Sequence, residues 1–146
     1  MTKHLWKILG FAAILMLAVS AFAHHGTFVS YDASKMFTTK ATVTDFQFTN
    51  PHIQLYFDIK DDKGTVTHWT AEGPDPAVLV AVGWGRKKTS AALAPGTEIT
   101  ITLQPARNGK PVAEMNNIVL PSGDSVCGLG GSRNAKNCQT GDAQAR

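Results

Sequence analysis

Two adjacent histidines, His24 and His25, stand directly after Ser20-Ala21-Phe22-Ala23, which places small residues where a signal peptidase reads them. If the chain is cut after Ala23, His24 presents an imidazole and a free α-amine, and those two nitrogens can chelate one metal ion in the manner of a histidine brace. His25 adds a third nitrogen. Imidazole and amine donors suit Cu(II), Ni(II) or Zn(II), and the Irving–Williams order favours copper. A scaffold must hold such a set, and His52, in Asn50-Pro51-His52 at the expected entrance of a strand, is the expected additional ligand. Asp32 is a weaker candidate. The competing reading treats His24 and His25 as exposed linker and His52 as a turn cap.

Other chemistry finds less support. The chain has no Gly-x-Ser-x-Gly, Ser-x-x-Lys or His-Glu-x-x-His, so no nucleophile or zinc-hydrolase constellation stands out. Glu72, Asp75 and Glu114 read as isolated acids. Met36 and Met115 could be soft copper ligands, but single methionines are more often core filler. The two cysteines, Cys127 and Cys138, sit in a segment expected to be exported, where a disulfide is the default, closing a short Gly-rich loop. They match neither Cys-x-x-Cys nor a haem-attachment motif.

These side chains must be positioned by strands. Thr38 to Phe48 is rich in Thr, Val and Phe and breaks at Asn50-Pro51. From His52 to Lys60, Ile53, Leu55, Phe57 and Ile59 alternate with His52, Gln54, Tyr56, Asp58 and Lys60. Asp61-Asp62-Lys63-Gly64 supplies a hairpin turn into a strand over Thr65 to Glu72. With Asp61 facing Thr65, Phe57 lies opposite Trp69 and Leu55 opposite Ala71, while Asp58 meets His68, Tyr56 meets Thr70 and Gln54 meets Glu72 outside. A slip by one residue would bury the wrong face. His68 is thereby given a structural partner in Asp58, which weakens it as a metal ligand.

Asp75 is an N-cap, Pro76 a first helical residue and Gly83 a closing one, so a short apolar helix is expected over Ala77 to Val82 with Trp84 behind it. Gly85 to Ala94 reads as an exposed connection with one helical turn. Glu98 to Ala106 and Glu114 to Leu120 are the last two strands, joined through Asn108-Gly109. The order is all-β with one short helix, an OB-like five-stranded barrel (β-β-β-α-β-β); an open β-sandwich is the alternative. The outer face of strands two and three, where such barrels bind extended ligands, carries Gln54, Tyr56, His68 and Glu72. It is polar and slightly acidic, which suits an envelope protein or glycan better than a polyanion.

Lys3, His4 and Lys7 precede an uncharged apolar run from Ile8 to Val19, which with the Ala-x-Ala site makes residues 1–23 a signal peptide. A membrane span would need about twenty apolar residues. Periplasmic or secreted location follows as an expectation. Residues 24–121 make the barrel domain, and residues 122–146 a flexible Gly-rich tail holding the cysteine loop. Removing Lys3 and Lys7 from the 14 basic side chains leaves 12 against 11 acidic ones, which gives nucleic-acid binding no electrostatic support.

Taken together, His24-His25, Tyr31-Asp32, Thr49-Asn50-Pro51-His52, Trp69 with Glu72, Gly83-Trp84 and Ala94-Pro95-Gly96 resemble domain-of-unknown-function family 6152, small exported bacterial proteins, over about residues 24–121. The resemblance implies an OB-like periplasmic barrel and supplies no mechanism. It carries onto His24, His25 and His52, whereas the tail with Cys127 and Cys138 is unlike the family pattern. The functional expectation is non-catalytic binding of a transition metal, copper before zinc or nickel, through His24, His25 and His52. The alternative is a metal-free binding module for an envelope protein or glycan.

Overall fold

Alternation along the chain becomes curvature once five strands close on themselves. The computed structural model describes residues 30–130, so His24, His25, Cys138 and the expected signal segment lie outside the described residues. A 3-10 turn, Ala33–Lys35, leads into β1 (Phe37–Gln47), β2 (Gln54–Lys60) and β3 (Val66–Glu72). Two short helices follow, α1 (Pro76–Ala81) and α2 (Arg86–Ala92), then β4 (Glu98–Pro105) and β5 (Val112–Val119). The sheet closes in the order β1-β2-β3-β5-β4. All its pairings are antiparallel except β3 with β5, which is parallel. This is the expected OB-like barrel, in which closure removes the open sheet edges.

The β2–β3 hairpin keeps the register that its apolar pattern demands. Gln54 faces Glu72, Leu55 faces Ala71, Tyr56 faces Thr70, Phe57 faces Trp69 and Asp58 faces His68. The turn is closed by the Asp61 N–H on the Thr65 carbonyl at 3.0 Å, with Gly64 at φ 85°, a conformation that costs a residue with a side chain dearly. Leu55, Phe57 and Ala71 are wholly buried, together with Ile101, Leu103, Ala113, Met115 and Ile118 from β4 and β5.

The helical segment joins the same core through Leu79 of α1, Trp84 between the helices and Leu93 at the end of α2. As its sequence requires, α1 is capped by the Asp75 carboxylate, which accepts from the Ala77 N–H at 2.7 Å. The second helix departs from the sequence reading, which gives 85–94 a single turn in an exposed connection. What holds it is Thr89, fully buried, whose hydroxyl donates to the Trp84 carbonyl at 2.8 Å. Its basic first turn is spread over aromatic rings, with Arg86 5.1 Å from the Phe48 ring centre and Lys88 4.3 Å from that of Trp84.

The barrel domain also extends past Leu120, which corrects the boundary at residue 121. Leu120 and Asp124 form a tight turn, Ser125 bridges to Val119, and the Val126 N–H donates to Ile118 at 2.9 Å. Val126, Cys127 and Leu129 are buried in the core cluster. A Gly- and Ser-rich composition hid three apolar side chains spaced to cover the barrel. Among the described residues, no helix is long and apolar enough to cross a membrane.

Candidate functional site

The parallel pairing of β3 with β5 places Glu72 directly beside Glu114. Gln54 flanks Glu72 on β2, and Gln104 flanks Glu114 on β4, so one polar row crosses four strands of the barrel. All four residues are half-buried. Read in sequence, Glu72 and Glu114 are isolated acids 42 positions apart; in the fold they are neighbours. The signal that would have joined them is the β3–β5 pairing by which a barrel of this strand order closes.

Tyr31 completes this cluster. It is buried, bridges to Ala106 just past β4, and its hydroxyl lies within electrostatic reach of the Glu72 carboxylate. Burial, reinforced by the charges of Glu72 and Glu114, drives the phenol well above the ordinary tyrosine range, so it stays a hydrogen-bond donor. Burial likewise pushes the Glu114 carboxyl up. The Glu72 charge adds to that effect, and His52 opposes it from within electrostatic reach.

His52 lies exposed just ahead of β2, after the cis Asn50–Pro51 peptide. Its Nδ1 is 2.9 Å from the Gly73 carbonyl oxygen. A carbonyl can only accept, so Nδ1 carries the proton, and in the neutral ring Nε2 holds the free lone pair. That is the arrangement in which protein histidines usually meet metals, one nitrogen oriented by a backbone carbonyl and the other open.

The remaining candidates fall elsewhere. The Asp32 carboxylate accepts from the Ser34 hydroxyl at 2.6 Å and its N–H at 3.2 Å, and lies 3.8 Å from both Lys35 and Arg107. The Ser34 hydroxyl, with the help of these neighbours, holds it below the usual carboxylate range. It is engaged as a cap. Met115 is wholly buried core filler. His68 donates through Nδ1 to Asp58, as the register requires. Gln54, Tyr56, His68 and Glu72 do share the outer face of β2 and β3. Among the described residues, no three His, Cys, Asp or Glu side chains converge as a metal-binding group.

Residues 13–114 match the Family of unknown function (DUF6152). The chain belongs to that family. The match takes in β1 to β4, both helices and the whole polar row up to Glu114. No curated protein and no solved structure matches the chain.

Proposed function

We propose that this DUF6152 protein is an exported, periplasmic, non-catalytic binder of a transition metal, copper above zinc or nickel. The ligands are the α-amine and imidazole of His24, the imidazole of His25, and Nε2 of His52. The observation that carries this reading is the His52–Gly73 hydrogen bond, which orients the ring and leaves Nε2 without a hydrogen bond among the described residues. The donor chemistry fits: three imidazoles and an amine are nitrogen ligands of the kind Cu(II) prefers. Glu72 and Glu114 beside the site add negative charge that favours a cation.

Moving the terminal amine tests the brace. A protein with one extra residue ahead of His24 loses the α-amine as a ligand and binds Cu(II) more weakly than protein beginning at His24. Equal affinity would remove the brace from the account.

A second reading has its own observation. Gln54, Tyr56 and Glu72 stand half-buried on one face with His68, which is the surface a metal-free module would offer an envelope protein or glycan. Under that reading, Tyr56→Ala with Gln54→Ala abolishes binding to purified cell-wall glycan or an envelope protein, and metal has no influence on it.

A further inference from the structure

The end of the β2–β3 ladder departs from regular pairing at one place. With the register of this hairpin, Ile53 lies opposite Gly73, and a regular antiparallel pair of this type exchanges two hydrogen bonds. One is made, Gly73 N–H to Ile53 O at 2.9 Å. The other is displaced: the Ile53 N–H donates one residue further on, to the Pro74 carbonyl at 3.2 Å. The Gly73 carbonyl is thereby released from the ladder, and the His52 ring takes it at 2.9 Å.

Only glycine permits this approach. A Cβ at position 73 would lie 2.7 Å from Ile53 Cγ1, 2.9 Å from its Cδ1 and 3.2 Å from Met115 Sδ. Ile53 and Met115 are both fully buried, so neither can swing into solvent to make room. A side chain at 73 must displace Ile53 and Met115 inside a closed core, and the resulting strain falls on the segment that carries the carbonyl His52 uses.

We propose that Gly73 is the positioning residue of His52: by bringing a carbonyl released from the ladder against Nδ1, it fixes the ring's tautomer and leaves Nε2 as the open donor. The inference rests on the metal-binding reading for its purpose, but its structural content stands without metal.

Imidazole nitrogen NMR on metal-free protein at about pH 8, where histidine is neutral, tests it. The wild type should show His52 protonated at Nδ1 with Nε2 bare. Gly73→Ala should lose that single tautomer, and Ile53→Ala combined with Gly73→Ala, which removes the clashing atoms, should restore it. A wild-type ring protonated at Nε2 would overturn the proposal even if no variant folds. So would a folded Gly73→Ala protein with the wild-type tautomer. Cu(II) affinity, measured on the same proteins, separates the two ideas. A loss of about tenfold in Gly73→Ala is the effect expected of an outer-shell partner. If the tautomer follows Gly73 while copper affinity does not move, the positioning holds and the metal reading fails.

Discussion

Replacing Glu114 by Gln should stabilise the metal-free protein at neutral pH and leave it unchanged in acid. Glu114 and Glu72 are direct neighbours on parallel strands, which lie about 4.8 Å apart. Two carboxylates about 5 Å apart repel by about 0.8 kcal/mol at the dielectric of water. Salt and the partial exposure of both groups reduce this, as does the attraction of His52, while the desolvation of Glu114 adds to it. A net gain of about 0.5–1 kcal/mol follows, or about 4 °C in melting temperature for a domain of this size. The sign is set by the direction of the shift. The folded carboxyl titrates above its unfolded value, so folding favours its protonated form, and the wild type loses stability as pH rises through the folded pKa. Glutamine, which cannot ionise, escapes that loss. Thermal melts of chelator-treated wild type and Glu114→Gln, followed from about pH 3.5 to pH 8, should therefore coincide below the ordinary Glu pKa of about 4.3 and separate above it. A variant less stable than wild type at neutral pH, or a gain as large in acid, would refute the argument.

Three further outcomes follow from the same geometry. Tyr31→Phe removes a buried hydroxyl beside the Glu72 carboxylate and should cost about 1 kcal/mol, read in urea denaturation at pH 7. Leu103→Ala opens a cavity beneath a fully buried side chain and should cost about 3 kcal/mol in the same assay, without changing Cu(II) affinity. Because Cys127 is buried among Val126 and Leu129, a Cys127–Cys138 disulfide would tie the outer chain to the core. Reduction should then lower stability by about 2–3 kcal/mol, and an equal melting temperature with and without reductant would exclude a structural role.

What could be read in advance was what local pattern controls. Ile53, Leu55, Phe57 and Ile59 fix one face of β2, and the Asp61–Gly64 turn fixes where β3 begins, so the hairpin register followed from neighbours in sequence. Asp75 and Pro76 likewise announced α1. The second helix was hidden because Gly85 offers no side-chain cap and Arg86, Lys87 and Lys88 oppose the helix dipole at its start. Only the fold supplies the Trp84 carbonyl for Thr89 and the rings for the basic groups. Val126, Cys127 and Leu129 were masked by the glycines around them, each of which breaks periodicity without preventing burial.

The candidate site divides in the same way. His52 was visible as a residue type at a strand entrance. Its hydrogen bond to Gly73 depends on a one-residue displacement in a ladder, which no alternation pattern records. The Glu72–Glu114 pair depends on a parallel contact between strands separated by two helices and β4, and Tyr31 reaches it from ahead of β1.

Cu(II) electron paramagnetic resonance tests the central claim most directly, on protein whose N-terminus has been confirmed as His24 by mass spectrometry. One equivalent of tightly held copper, with nitrogen hyperfine structure that loses a ligand in His52→Gln, is the result predicted here. Copper that a weak chelator strips away, with a spectrum indifferent to His52→Gln, would contradict it and leave the outer face of β2 and β3 as the functional surface.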